Sequence, residues 1–289
     1  MPRQFVQTTV IVALAAVTAC SRGRDAKADE AIAYLPDQTE LVLGFNVKDL
    51  RDSPLWDDID KSLARDAEYR SITKTCGIDL AEDIDHVVIG LTELRPTPEG
   101  VFVIKGKHVD KLLACDIGGK VKRDGKVVFY EDDSGEAVLA LADSSTLVGV
   151  FGFHPSKAEL DRALAKSNSL RDLPAFKELF ADVHTGHTVW LVGKGSLVSD
   201  VDFDLKPRSF GGSIDISSKV TFSGVARFAS SADAKQAADE VRSSLGTAKA
   251  KAVLDSSDIS QDGATVTGSI RLSASATREM LRDVTSDGW

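Results

Sequence analysis

Towards the C-terminal end of the chain, apolar and polar side chains twice trade places residue by residue. Val220, Phe222, Gly224, Ala226 and Phe228 alternate with Thr221, Ser223, Val225 and Arg227. Val266, Gly268, Ile270 and Leu272 alternate with Thr265, Thr267, Ser269 and Arg271. A period of two places each set on its own face of a strand. A strand with one dry and one wet face belongs in an antiparallel sheet, because parallel strands are buried on both sides.

Other stretches fit around these two. Leu41-Val42-Leu43-Gly44-Phe45-Asn46-Val47 reads as a buried strand after the turn residues Pro36-Asp37. Ser53-Pro54 opens a helix, with Ser as cap and Pro at the first position, and Leu55, Ile59 and Leu63 share one face. Val87–Leu91 and Val101–Ile104 are strands joined by a Pro-rich turn, and a short helix from about His108 runs into Cys115. Strands follow near residues 119–131, 136–142 and 145–152, the first containing the hairpin signal Asp124-Gly125. Ser156 and Glu159 form a capping box ahead of Leu160, Ala163 and Leu164. His187–Gly193 repeats the pattern of the first strand, and helices are expected from about Ser231 to Leu245 and from about Ser275 to Val284. The predicted class is α+β, as two related halves, each an antiparallel sheet with helices packed on one face. The first half covers residues 34–170 and the second 171–289. A transmembrane barrel does not fit, because helices interrupt the strands.

Residues 1–19 are of another kind. Arg3 is their only charge, and Phe5 to Ala19 is mostly Val, Ile, Leu and Ala. The run ends in Val17-Thr18-Ala19-Cys20. It is shorter than the ~20 apolar residues that span a bilayer, and Gln7, Thr8 and Thr9 dilute it. This layout resembles bacterial lipoprotein precursors, whose lipobox reads roughly Leu or Val, small, Ala or Gly, Cys. The resemblance implies that residues 1–19 are a signal peptide, that the Cys20 sulfur carries a diacylglycerol, and that the new amine takes a fatty acid such as palmitate. Several acyl chains on one residue give stable membrane anchoring. Ser21 in place of Asp after the cysteine implies the outer membrane, facing the periplasm. Residues 20–33 are then the lipidated N-terminus and a charged tether. Two other readings use the same residues: secretion with cleavage after Ala19, leaving Cys20 a free thiol, and an uncleaved helical anchor. The stretch from Tyr34-Leu35-Pro36-Asp37 to Asp52-Ser53-Pro54-Leu55-Trp56 also resembles cell-envelope lipoproteins, which brings no activity with it.

Without Arg3 the chain carries 34 Lys+Arg against 44 Asp+Glu, a net charge of −10. Such a surface is a poor partner for nucleic acid or anionic lipid. With Cys20 lipidated, Cys76 and Cys115 are left as a pair. In an oxidising envelope that pair is expected as a disulfide; two buried thiols are the other reading.

Known chemical motifs are incomplete. Gly193-Lys194-Gly195 lacks the spacing and the Ser or Thr of a phosphate loop. Ser71-Ile72-Thr73-Lys74 has the Ser-x-x-Lys of penicillin-recognising enzymes without its companion elements. Asp200, Asp202 and Asp204 begin like a calcium loop, but Leu205 and Gly211 stand where Gly and Glu are needed. His184 and His187 lie in a loop with no third ligand nearby, and His86, His108 and His154 are scattered. Glu131 to Glu136 reads as a polar hairpin tip, and Trp56 and Trp190 as core.

The expectation is a non-enzymatic, membrane-anchored envelope lipoprotein with a binding or assembly role and no cofactor, metal or catalytic residue. Its partner would be an envelope protein. The alternative is a periplasmic carrier of an apolar ligand, since half-open sheets covered by helices can hold a cavity.

Overall fold

The structure, a computed structural model, describes residues 25–279 apart from 54–55, 94–97, 116–118, 133–134, 199–204, 218, 274 and 278. Two compact units are present, Arg24–Lys177 and one that includes Glu178–Trp289.

The first unit begins with α1 (Ala26–Ile32) and β1 (Leu41–Asn46), then α2 (Val47–Arg51), α3 (Trp56–Leu63), α4 (Ala67–Cys76) and α5 (Leu80–Asp83). Strands β2 (Ile84–Glu93) and β3 (Glu99–Gly106) precede α6 (Asp110–Ala114). Next come β4 (Lys120–Asp124), β5 (Val127–Asp132), β6 (Gly135–Asp143), β7 (Thr146–Gly152) and α7 (Lys157–Leu164). The strands lie in the order β1-β2-β3-β7-β6-β5-β4, and each neighbouring pair is antiparallel. Gly125, at φ 61, opens the two-residue loop between β4 and β5, a conformation that costs glycine nothing.

The period of two decides what each face buries. Val88, Val103 and Val148 stand in register across β2, β3 and β7, under α1 and α7. Val87, Ile104 and Leu147 point the other way, into a cluster with Ile72 of α4, Leu80 of α5 and Leu112 and Leu113 of α6. Helices therefore cover both faces, where the sequence predicts one. The reason lies in strands such as Thr146–Gly152, whose neighbouring residues are buried on both sides and carry no polar alternation.

Residues 26–32, expected within the tether, form a packed helix instead. Asp25 caps it by accepting from the Lys27 amide, and Ala28, Ala31 and Ile32 are buried at helical spacing. Their charged neighbours read as a solvated segment because the apolar positions are small alanines. Helix α4 is likewise missing from the sequence reading. Asp66 caps its start and Gly77, at φ 61, closes its end.

In the second unit, β8 (Val189–Lys194), β9 (Ser209–Ile216) and β10 (Val220–Arg227) precede two helices and a hairpin. The helix α8 (Pro174–Asp182) crosses the boundary between the units. The helices after β10 are α9 (Ser231–Leu245) and α10 (Ala248–Val253), and the hairpin is β11 (Leu254–Asp262) and β12 (Thr265–Leu272). The strand order is β11-β12-β10-β9-β8. Strand β12 alternates as its sequence predicts, with Val266, Gly268 and Ile270 buried between half-buried or exposed neighbours. Strand β10 departs from it: Val225 is as buried as Val220 and Ala226. Ala226, Phe228 and Val266 pack against Ala234 and Ala238 of α9. On the opposite face Arg227 reaches Glu178 and Asp182 of α8, and Phe180 meets Trp190 edge-on at 5.9 Å.

Cys76 and Cys115 form a disulfide, with Cα atoms 4.8 Å apart. It joins the end of α4 to the residue after α6, both in the helical layer over Ile104 and Leu147. The bridge closes a loop of 39 residues, worth about 4 kcal/mol in the chain-entropy account. Replacing both cysteines by Ala should lower the urea-unfolding free energy by roughly that amount. A loss below about 1 kcal/mol would mean that the helical layer holds without it.

Candidate functional site

Helix α1 is fastened to the sheet by charge as well as by packing. His86 on β2 is 4% exposed, and its Nε2–H donates to Asp25 Oδ2 at 2.8 Å. That hydrogen bond, more than any other influence, holds the Asp25 carboxyl below its ordinary value of 3.8, against the burial that would raise it. The remaining nitrogen, Nδ1, is buried with no partner among the described residues. Beside this pair, Asp85 accepts from Lys27 Nζ at 3.0 Å and from Arg51 Nη2 at 3.2 Å. Burial pushes Asp85 up, and the two cations outweigh it to leave the carboxyl lowered. Glu30 closes the row by pairing with Lys105 of β3.

After α1 the chain turns across β2 to form one lip of a cleft. Gly90 makes the turn possible, since a Cβ there would come within 2.9 Å of Leu35. Pro36 bridges to Ser169, Asp37 N–H donates to Asn168 O at 2.8 Å, and Leu170 N–H donates to Leu35 O at 2.8 Å. Tyr34, Pro36, Gln38 and Asn168 thus stand on one side of the cleft. Val101 and Val150, paired across β3 and β7, make the floor. Phe153, Pro155 and Arg162 stand on the other side. The cleft holds about 260 Å³ and opens to solvent.

Backbone strain gathers at this cleft. Among the described residues, four non-glycine residues have positive φ, and three of them border it: His154 (61), Lys166 (53) and Asn168 (52). An L-residue in that region costs about 1–2 kcal/mol and persists only where surroundings enforce it. The enforcement is visible. Ser156 and Glu159 make the expected capping box at the start of α7. At its end, Lys166 N–H donates to Ala163 O and Ser167 N–H to Arg162 O, a Schellman closure with Lys where Gly is usual. The Lys166 ammonium then lies 4.3 Å above the Tyr34 ring. The His154 ring lies tilted at 48° against Phe153, 4.1 Å between ring centroids, and its Nδ1 faces Glu136 at 3.3–3.4 Å. Phe153 itself is 72% exposed.

The residues singled out by sequence fall elsewhere. Cys20, Asp200, Asp202, Asp204 and Trp289 lie outside the described residues. Ser71 and Lys74 are both exposed on α4, outside this cleft. Gly195 follows β8 against Pro207, whose carbonyl a Cβ would strike. His184 and His187 have ring centroids 4.9 Å apart, and His187 Nδ1 is 2.8 Å from Ser213 Oγ. Among the described residues, no group of three His, Cys, Asp or Glu is placed to hold a metal ion. Among the same residues, no helix is long and apolar enough to cross a membrane. Sequence reasoning missed His86, His154 and Phe153. For His86 no signal exists, since its partner is 61 residues away; for Phe153-His154-Pro155, an aromatic between a strand end and a proline was available.

No family model matches the chain, and no curated protein matches it. The solved structures supply the comparison. The chain folds like TP0453. Crystal form III of TP0453 aligns with a TM-score of 0.58 at 11% identity, over 89% of this chain and 98% of that one. Form I gives 0.57 at 10% identity over 92% and 99%, and form IV 0.54 at 12% over 89% and 96%. At such identity the likeness to TP0453 concerns the fold alone.

Two measurements probe these sites. Asn still caps a helix, so Asp25→Asn removes the charge and keeps the cap. A lowered folded pKa stabilises above the unfolded value and loses that contribution as pH falls through the folded one. The stability gap between wild type and Asp25→Asn should be full near neutral pH and shrink below 3.8; a gap independent of pH would exclude an ionic role for the pair. His154→Gly should raise stability by about 1 kcal/mol in thermal unfolding, and an unchanged or lower Tm would show that the left-handed turn carries no strain.

Proposed function

We propose that this chain is a non-enzymatic lipoprotein of the cell envelope, anchored through Cys20 and acting by binding a partner in the cleft between Tyr34 and Phe153. The observation that carries the reading is the cleft: an open hollow of about 260 Å³ with an exposed aromatic, held by strained backbone. The lipobox Val17 to Cys20 supports the anchor. The outer membrane, facing the periplasm, is the address that Ser21 favours. Enclosed carriage of an apolar ligand is less favoured, because the cleft is open, part polar and smaller than the roughly 300–1,000 Å³ of sites that bury a whole ligand.

The same reading takes the two units as related halves. Their strand orders support it: β1-β2-β3-β7-β6 runs parallel in pattern to β8-β9-β10-β12-β11. In each, a helix follows the third strand and a hairpin returns with its second strand beside the third. The β4–β5 hairpin would be an addition to the first half.

The test is metabolic labelling of expressing cells with radioactive palmitate. Wild type should take label and fractionate with membranes, whereas Cys20→Ala should do neither. Equal labelling of both would overturn the anchor.

A further inference from the structure

The two strands that end the strand order carry opposite charge. Strand β4 closes the order of the first unit, and β11 closes that of the second. Strand β4 and its turn hold Lys120, Lys122, Arg123 and Lys126 against Asp124 alone. Strand β11 holds Asp255, Asp258 and Asp262 and no cation. In an acidic chain the basic edge is the exception.

Both strands end in a two-residue turn, which decides what their backbone groups do. Asp124 faces Val127 across Gly125-Lys126, and Asp262 faces Thr265 across Gly263-Ala264. Such flanking pairs are hydrogen-bonded, and bonding alternates along an antiparallel ladder. Val121 and Arg123 therefore turn their N–H and C=O groups outward from β4, and Ser257, Ile259 and Gln261 do so from β11. Part of the β11 edge is taken. Arg242 of α9 donates to Ile259 O at 3.0 Å, the register shifts between Leu254 and Ser256, and Lys219 pairs with Asp255. The end at Gln261 and Asp262 stays open. The Asp262 carboxylate and the ammonium groups of Lys122 and Lys126 are exposed and have no partner among the described residues.

Charge on an edge strand ordinarily keeps sheets apart. Here it does so only between like edges. Two β4 edges would set cations against cations, and two β11 edges would set Asp against Asp. A β4 edge against a β11 edge brings opposite signs together. One antiparallel register uses the open groups alone, with Arg123 opposite Gln261 and their outward backbone groups exchanging hydrogen bonds. It sets Lys122 opposite Asp262 and Lys126 opposite Asp258, all on one face. Ile259, whose carbonyl Arg242 occupies, then falls opposite Gly125 in the turn, where no bond is needed.

We propose that copies of this protein associate head to tail, the β4 edge of one pairing with the β11 edge of the next. Neither the cleft nor the anchor enters the pairing, so its failure would leave both standing. The contact joins unlike surfaces. Each pair therefore still presents one basic and one acidic edge, to which further copies can add. The paired stretch is short, which places it among the weak interfaces that form at high local concentration.

Charge exchange on the full chain provides the test, read as weight-average mass in sedimentation equilibrium. Wild type should gain mass as concentration rises. Lys122→Glu and Asp262→Lys should each weaken association about tenfold, since each sets like charges opposite one another. Both positions are exposed, so folding is not at stake. An equimolar mixture of the two variants should regain wild-type association, because the reversed β4 edge of one then meets the reversed β11 edge of the other. A mixture no stronger than its components would overturn the facing of Lys122 and Asp262, and the proposal with it. If Lys122→Glu associated with wild type more strongly than either does alone, the contact would be β4 against β4 and the head-to-tail order would fall. A wild-type mass independent of concentration would overturn association altogether. A second measurement locates the contact: carbodiimide coupling in a mixture of light and heavy-nitrogen wild type. It should yield an amide between Lys122 of one copy and Asp262 of another, and mixed-isotope amides found only at other positions would refute this pairing of edges.

Discussion

The first unit depends on how closely its N-terminal segment lies on β2. Small residues set that distance. Ala28 and Ala31 present little more than a methyl to the sheet, and Gly90 leaves room for the whole Leu35 side chain. Burying these groups is the dominant favourable term, and close packing makes it specific. Everything at the cleft lip inherits its position from this contact. Tyr34 and Pro36 stand where they do because Leu35 is fixed between them. The bridge from Pro36 to Ser169 carries that placement on to Asn168.

The ionic row along α1 has a different task. Buried or half-buried pairs add little net stability, because each charge leaves water to form them. What they fix is register. His86 donates to one partner at one depth, and Asp85 is held between Lys27 and Arg51. A helix of seven residues could slide or roll on a hydrophobic contact alone. With Asp25, Lys27 and Glu30 each meeting a set partner on β2 or β3, it has one seat.

Much of this architecture is legible in the residues, for physical reasons that also mark the limit. Alternation over Thr265–Leu272 predicts β12 because that strand is dry on one face only. The same logic misjudges β10, where Val225, on the face of Thr221 and Ser223, is fully buried. Caps and tight turns, such as Ser156 with Glu159 or Gly125, are local and read directly. Helix α1 was hidden because its charged residues find partners on distant strands rather than in water. The cleft was hidden for the same reason: Tyr34, Val101, Phe153 and Arg162 come from four separate stretches. Pairing over long separations leaves no trace in a short window of sequence.

The strand order also bears on how the chain reaches its native state. Strand β3 lies between β2 and β7, so one of its edges stays bare until β4, β5 and β6 have been made and β7 arrives. The same holds for β10, which waits for β12. Val101, Val103 and Ile104 would meanwhile offer an unpaired, apolar edge to any neighbouring chain. A protein wired in this way is best protected when it emerges continuously and folds without pause. Segments between β3 and β7 are where delay would favour wrong partners, and the acidic surface, by mutual repulsion, keeps unfinished copies apart.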